Sequence, residues 1–324
     1  MTNKNVIITG GAGYVGSHVC KLLSISGYNT YSLDNLSRGN DWAVKWGELL
    51  LGDLLDEEYI EYAFKEVNPV AIIHLAAYAD IGESNQKPFL YYQNNISTTI
   101  NLLNVIKKYN FDNFIFSSSC STFGNISSSN INEDETMNPL SPYAFSKMVC
   151  EKIIKSAHHE TKLSYMILRY FNAAGADINN EIGESNDKHK RIIPQIIKAI
   201  IADKTLEIYG NDYNTHDGTC VRDYVHVDDI ANAHLLALEH LLKKNESSEI
   251  NVGSGNGYSI LEIIKKAELI LSKKVKISFL PRRNGDADYL VAQINKAQKI
   301  LKWKPIHSDM NLILNTAINW EKKI

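Results

Sequence analysis

Asn5-Val6-Ile7-Ile8-Thr9-Gly10-Gly11-Ala12-Gly13-Tyr14-Val15-Gly16 decides how the chain is read. Val6 to Thr9 are β-branched and suit a short buried strand, which the glycines interrupt. An amphipathic helix follows, with Val15, Val19, Leu22 and Leu23 on one face and an end near Gly27. A second strand, Thr30 to Leu33, ends at Asp34. Strand, glycine turn, helix, strand and acid are the framing that a dinucleotide fingerprint requires. Gly10 permits the tight turn, Gly13 lets backbone N–H groups approach a pyrophosphate, and Gly16 allows close helix packing. The helix N-terminus adds the positive end of its dipole. Asp34 can accept hydrogen bonds from both hydroxyls of an adenosine ribose and would repel a 2′-phosphate, so the expected cofactor is NAD.

The alternation continues outward from this unit. Glu48 to Leu51 is a strand ending in Gly52-Asp53, and Glu57 to Lys65 is a helix. Val70 to Leu75 is a strand followed by the small residues Ala76 and Ala77. Asn94 to Lys108 reads as a helix with Leu102, Leu103 and Ile106 on one face, and Asn113 to Phe116 as a strand running into Ser117-Ser118-Ser119. Such units predict a Rossmann-type, doubly wound parallel sheet, an α/β fold covered on both faces. Ligands then sit at the carboxyl ends of the strands, where Asp34, Asp53, Ala76 and Ser119 converge.

Beyond the strand Leu163–Phe171 the texture changes. Residues 173–191 are rich in Asn, Gly and charge and read as a long functional loop. Helices are expected at 193–202, 229–243, 259–271 and 309–322, and strands near 206–209 and 249–252. The chain thus divides into a dinucleotide-binding domain, 1–172, and a smaller mixed α/β substrate lobe, 173–324, with strands crossing back to the main sheet.

Pro142-Tyr143-Ala144-Phe145-Ser146-Lys147 carries the candidate chemistry. Pro142 suits a first helical position, and Val149, Ile153 and Ile154 continue at helical spacing. Tyr143 and Lys147 stand at i and i+4, which brings the ammonium one turn from the phenol. A free phenol has a pKa of about 10, and a fixed positive charge beside it lowers that value toward a usable base.

Composition bounds the rest. The 324 residues are 44% apolar and 22% charged, with a net charge of −3. No basic excess points to nucleic acid or an anionic membrane, and no apolar run approaches the length of a membrane span. Cys20, Cys120, Cys150 and Cys220 are far apart without a Cys-x-x-Cys pair, which argues for a reducing, cytoplasmic setting and against structural zinc. The start of the chain enters a strand at once, so no signal peptide is expected. Lys188 to Arg191 reads as a solvated basic run. His158-His159-Glu160 reads as a helix end. In His226-Val227-Asp228-Asp229, Asp228 reads as a helix N-cap rather than a metal ligand. No metal is expected.

These residues resemble the extended short-chain dehydrogenase/reductase family, and most closely its branch of UDP-glucose (UDP-galactose) 4-epimerases. The resemblance runs nearly end to end. Thr9 to Gly16 is similar to that family's cofactor loop, Asp34-Asn35-Leu36-Ser37 to its adenosine-ribose segment, and Ser119 with Tyr143 and Lys147 to its catalytic group. Arg169-Tyr170-Phe171-Asn172, Tyr209 to Tyr213, Asp217 to Tyr224, and Pro281 to Asp286 resemble the epimerases more specifically. The resemblance implies NAD-dependent C4 epimerisation of a UDP-hexose through a transient 4-keto sugar. UDP-glucose and UDP-galactose are the first candidates, and their N-acetylated counterparts are further ones.

By position it implies that Gly10, Gly13, Tyr14, Val15, Gly16, Asp34, Asn35, Asp53, Leu54, Leu75, Ala76, Ala77, Asn94, Tyr143, Lys147 and Tyr170 hold the cofactor. Asp53 would reach the adenine. Ser119, Tyr143, Asn172, Tyr209, Arg222, Arg283, Asp286 and Leu290 are assigned to the UDP-sugar. Two arginines suit a diphosphate, because each guanidinium can clamp it bidentately. Tyr209 would pack on the uracil. The helices at 88–108 and 142–158 resemble a pair that forms a four-helix dimer interface, so a homodimer is expected.

Relatives that dehydrate or decarboxylate nucleotide sugars carry an acid shortly after the catalytic Ser or Thr. Ser119-Cys120-Ser121-Thr122-Phe123-Gly124 has none, which favours simple epimerisation. A non-catalytic NAD-binding regulator is the rival from another class, and the joint presence of Ser119, Tyr143 and Lys147 argues against it. The sequence departs from the family pattern at Ala79 and Phe123, where looser cofactor contacts are expected. It also departs at Arg191 and Leu290, which bear on the identity of the sugar.

Overall fold

The β-branched run Val6 to Thr9 lies in an interior strand of the main sheet in a computed structural model that describes residues 3–126, 130–185, 191–283 and 286–324. Lys188 to Lys190 of the basic run, and Asn284 and Gly285 of the Pro281 to Asp286 stretch, lie outside the described residues. In chain order the first half comprises β1 (Asn5–Thr9), α1 (Tyr14–Ile25), β2 (Asn29–Asp34), β3 (Glu48–Leu51), α2 (Glu57–Val67) and β4 (Ala71–His74). Then come α3 (Ile81–Gln86), α4 (Pro88–Tyr92), α5 (Thr98–Lys108), β5 (Asn113–Ser119), α6 (Pro142–Glu160) and β6 (Ser164–Tyr170). The remainder holds β7 (Asn172–Ala174), α7 (Ile192–Ala202), β8 (Leu206–Tyr209), β9 (Val221–His226), α8 (Val227–Lys244) and β10 (Ser248–Val252). It ends with β11 (Gly257–Ser259), α9 (Ile260–Leu271), β12 (Ile277–Leu280), β13 (Tyr289–Leu290), α10 (Asn295–Leu301) and α11 (Met310–Lys323).

Seven parallel strands form the main sheet in the order β10-β6-β5-β4-β1-β2-β3. The order reverses beside β1, which opens a crevice at the carboxyl ends of β1 and β4. Val19 and Leu23 of α1 pack with Ala237, Leu238 and Leu241 of α8 on one face. Ile60 and Phe64 of α2, Leu102 and Ile106 of α5 and Ile154 of α6 cover the other. Burial on both faces explains why the strands are continuous apolar runs rather than alternating ones. A second core joins α7, α9 and α11 through Ile196, Ile197, Ile263 and Ile313. Beside it β9 pairs with β7, β11 and β13, and β8 with β12. The expected crossing back is present, since β10 lies beside β6 in register Ile250 to Leu168.

The structure departs from the sequence expectations in identifiable places. β5 continues to Ser119 because its buried serines find partners: Lys147 Nζ donates to Ser117 O at 2.8 Å, and Ser118 Oγ donates to Glu151. The helix expected over Asn94 to Lys108 is broken by a π turn, Gln93–Ser97, before α5. Asp228 is not the cap of α8. His226 takes that place, its Nδ1 accepting from Asp228 N at 3.1 Å while Nε2 meets Thr316 Oγ1 at 3.1 Å. Asp228 lies in the first turn and accepts from Ile178 N at 3.3 Å. Burial, and then the neighbouring Asp177, push its carboxyl up to about 7.

His74 closes β4 inside the sheet, bonded through Nδ1 to Thr9 Oγ1 at 2.7 Å and through Nε2 to Thr99 Oγ1 at 3.1 Å. Burial, and then Lys147, lower its pKa to about 3. In the unfolded chain a histidine titrates near 6.5, so acid protonates the unfolded state first and withdraws stability as pH falls from about 6.5 toward 3. His74→Gln should therefore be less stable at pH 7.5 yet lose about 2 kcal/mol less than the parent between pH 6.5 and 5, from the factor of 1.36 kcal/mol per pH unit. Urea unfolding at both pH values checks this, and equal losses in the two proteins would refute it.

Candidate active site

α6 starts where its sequence dictates. Ser141 Oγ accepts from Ala144 N at 3.2 Å as the cap, and Pro142 fills the first helical position. The helix then lays Tyr143, Lys147 and Glu151 along one face, four residues apart, against the end of β5. Lys147 is buried, its ammonium on the Ser117 carbonyl and 4.7 Å from the centroid of the Phe116 ring. Burial lowers its pKa to about 8. Burial raises the Tyr143 phenol to about 12, against the lowering effects of a hydrogen bond with Ser119 and of the Arg191 charge. Ser119 Oγ itself accepts from Ser121 N at 3.2 Å and from Ser121 Oγ at 2.9 Å. Ser119, Tyr143 and Lys147 thus share one wall of a crevice of about 1090 Å³.

A buried ion pair fixes this wall from behind. Arg169 Nε donates to Glu151 Oε1 at 3.0 Å and Nη2 to Oε2 at 2.8 Å, while Nη1 donates to Glu133 O at 3.0 Å. Their side chains are 2% and 1% exposed. Asn95, in the π turn, braces the opposite side: its amide donates to Ser146 Oγ at 2.9 Å and to Tyr78 O at 3.1 Å, and its Oδ1 accepts from Tyr78 N at 2.9 Å. π turns recur at functional sites, because they let one side chain leave the helical register. Sequence reasoning missed Asn95, Ser121 and Glu151. Only Glu151 left a signal, in its spacing of four from Lys147.

The cofactor-facing wall is mostly backbone. Gly10 has φ +73°, and a Cβ there would lie 2.7 Å from Ala76 N. A Cβ on Gly16 would lie 2.1 Å from Gly10 O, so the turn and α1 can meet only without one. Gly13 caps α1 with no side-chain hydrogen bond, which leaves the helix N-terminus facing the crevice. Asp34 accepts from Ala12 N at 3.1 Å and Leu36 N at 2.8 Å. Asn35 Nδ2 donates to Asp53 Oδ2 at 3.0 Å, and Leu75 N to Thr9 O at 3.0 Å. Tyr14, Val15, Leu54, Ala76, Ala77, Asn94 and Tyr170 line the same space. Tyr14 donates to Gly175 O at 2.6 Å, and the Arg191 guanidinium lies 4.6 Å from the centroid of its ring. Arg191 Nη1 and Glu184 Oε1 are buried and face each other as an ion pair at 3.6 Å. A glycine cradle at a helix N-terminus and a carboxylate at the end of β2 fit NAD.

The sequence assignments for the other wall separate. Asn172, Tyr209, Arg283 and Asp286 line the crevice with Ser119 and Tyr143. Asn172 Nδ2 donates to Asp223 O at 3.0 Å, and the Arg283 guanidinium covers the Tyr209 ring at 3.8 Å. Arg222 and Leu290 do not line it. Arg222 Nη1 donates to Val221 O at 2.9 Å, with Nη2 3.9 Å from Asp286 Oδ1. Leu290 is paired across β13 and β9 and buried with Cys120, Phe123 and Phe171. Phe123 also lies away from the cofactor wall, fully buried with Arg169 5.2 Å from its ring centroid, so its effect on cofactor contacts could not be direct. Ala79 and Arg191 do line the crevice.

Residues 6–253 match the model of the NAD dependent epimerase/dehydratase family. The chain is 39% identical to a UDP-glucose 4-epimerase of Rhizobium meliloti, over 100% of this chain and 98% of that one. It is also similar to the structure of UDP-glucose 4-epimerase from Brucella ovis in complex with NAD, with a TM-score of 0.94, 42% identity and 98% coverage of both chains. The UDP-Glc/GlcNAc 4-epimerase of Campylobacter jejuni matches with a TM-score of 0.86 and 35% identity, over 99% of this chain and 100% of that one.

Removing one partner of a buried ion pair strands the other charge, at a cost of about 3–5 kcal/mol, whereas apolar replacement of both can be nearly neutral. Glu151→Ala should therefore lose more stability to urea unfolding than the double variant Glu151→Leu/Arg169→Met. A double variant as unstable as the single one would show that the pair is not the source of the cost.

Proposed function

Because the chain belongs to the NAD dependent epimerase/dehydratase family, we propose that it inverts C4 of a UDP-hexose as an isomerase with bound NAD. One observation carries the reading. Ser119, Tyr143 and Lys147 meet at the mouth of a glycine cradle, and the segment after Ser119 supplies no second carboxylic acid for dehydration.

NAD held by Gly10, Gly13, Gly16 and Asp34 would supply a reversible hydride acceptor for C4 of the sugar, so the net reaction would consume no oxidant. Tyr143 takes the proton of the C4 hydroxyl and later gives it back. Ser119 hydrogen-bonds the same oxygen, its own Oγ oriented by Ser121. With the phenol raised by burial, the Ser119 hydrogen bond and the Arg191 charge work the other way, and Lys147 is the further cation on the same helix face. Asn172, Tyr209, Arg283 and Asp286 anchor the UDP while the keto sugar turns over, and Arg222 lies behind them, 3.9 Å from Asp286 Oδ1. Asp34 and Asn35 take the adenosine ribose, Asp53 and Leu54 the adenine side, and Asn94, Lys147 and Tyr170 the nicotinamide side.

The division at 172/173 would separate most cofactor contacts from most UDP contacts, with Ser119, Tyr143 and Asn172 reaching the sugar from the first part. The protein is read as a cytoplasmic homodimer. Free Cys20, Cys120, Cys150 and Cys220 support a reducing compartment. Phe89 at 83% exposure, with Leu90, Ile100 and Phe145 also exposed, supports apolar pairing along α4, α5 and α6. Among the described residues no helix is long and apolar enough to cross a membrane.

Tyr143→Phe should lower kcat for UDP-galactose by about two to four orders of magnitude, with UDP affinity nearly intact. Lys147→Met should weaken NAD binding and move the rise of activity to higher pH. Near-normal turnover of Tyr143→Phe would remove this mechanism.

UDP-glucose and UDP-N-acetylglucosamine should both be epimerised at C4, because Leu290, buried with Cys120 outside the crevice lining, adds no tyrosine ring that could press the wall inward. Leu290→Tyr should act through the Cys120 cluster next to Ser119 and suppress the N-acetylated substrate selectively, read as kcat/KM for each. Equal losses on both substrates would separate Leu290 from the C2 pocket.

A further inference from the structure

Arg38 stands on the turn that wraps the Asp34 carboxylate. A Cβ on the adjacent Gly39 would lie 3.0 Å from each Asp34 oxygen and 2.8 Å from Ala12 Cβ, so this turn is pressed against the acid. An arginine close to the ribose-binding acid is the kind of group that accepts a 2′-phosphate, through a bidentate, charge-assisted fork. Read alone, Arg38 would argue for NADP.

The structure shows the guanidinium engaged elsewhere. Arg38 Nη2 donates to Glu83 Oε2 at 2.6 Å, and the group lies 4.8 Å from the centroid of the Tyr78 ring. Glu83 belongs to α3, on the far side of the crevice mouth, and both residues line that crevice. Its carboxylate is held in place by Tyr91 Oη at 3.0 Å and Lys87 Nζ at 3.5 Å, and its backbone N–H by Asp80 Oδ1 at 2.7 Å. The pair is only partly exposed, at 35% for Arg38 and 21% for Glu83, so water screens it incompletely.

We propose that Glu83 is a cofactor-specificity residue, which keeps Arg38 from a 2′-phosphate by holding its guanidinium across the crevice mouth. The proposal rests on Asp34 facing the adenosine ribose. Discrimination then has two parts: Asp34 repels the extra phosphate, and Glu83 withholds the Arg38 guanidinium that could compensate. Glu83 has no contact with the reacting atoms and acts through Arg38.

The test is a competition on the full-length protein. Parent and variants are incubated with equal excesses of NAD and NADP, freed of unbound nucleotide and denatured, and the released dinucleotides are quantified. The readout is a ratio within one sample, so partial loss of folded protein affects both nucleotides alike. Asp34→Ser should raise the NADP share modestly. Asp34→Ser/Glu83→Gln should raise the NADP:NAD ratio at least tenfold further, and adding Arg38→Ala should return it to the Asp34→Ser level. The proposal is overturned if Glu83→Gln adds nothing to Asp34→Ser. It is equally overturned if the gain survives Arg38→Ala, since the carboxylate of Glu83 would then act by its own repulsion. An unchanged ratio in Asp34→Ser alone would sink the ribose assignment of Asp34, whatever the Glu83 variants do.

Discussion

The catalytic wall depends on the buried contact between Glu151 and Arg169. Two charges out of water are costly, and an apolar pair could match the stability. An apolar pair would not match the geometry, because van der Waals packing tolerates small rotations of a helix that a doubly bonded guanidinium does not. Arg169 comes from β6, Glu151 from α6, and Ser118 of β5 adds its hydroxyl to the same carboxylate. Three elements are thus held in one register. Tyr143 and Lys147 lie two turns and one turn up the same helix face from Glu151, so any rotation that carried the phenol from Ser119 would break the pair.

Electrostatics in the crevice follow from that fixed geometry. The i, i+4 spacing does bring Lys147 to the face of Tyr143, but in this structure the ammonium is on the Ser117 carbonyl. Burial raises the phenol to about 12, while the Ser119 hydrogen bond and the Arg191 charge act to lower it, so a base at Tyr143 depends on positive charge held close to it.

The parts legible in the sequence were those set by local rules. The glycine turn, the buried strands and the acid after β2 each carry a residue type that their conformation demands, and they give the parallel sheet and the cofactor wall. What stayed hidden is set at long range. The π turn and Asn95 depend on a brace to Ser146 and Tyr78, which spacing does not reveal. His226 displaces Asp228 as a cap because Thr316, ninety residues away, orients its ring. Arg222 keeps the family pattern and Leu290 departs from it, yet neither lines the crevice, because Arg222 lies against Val221 O and near Asp286 while Leu290 is buried with Cys120, Phe123 and Phe171.

The two walls are built from different materials, and that decides what each can vary. On the cofactor side recognition is by backbone, and an added Cβ at Gly10 or Gly16 would sit 2.7 or 2.1 Å from another main-chain atom. Such contacts admit no gradual change, so that wall keeps one ligand class. On the substrate side recognition is by side chains from separate elements, with Arg283 stacked at 3.8 Å on Tyr209 and Asn172 tied to β9. A wall made of exchangeable side chains is also where a change of sugar can arise without disturbing the chemistry held by Glu151 and Arg169.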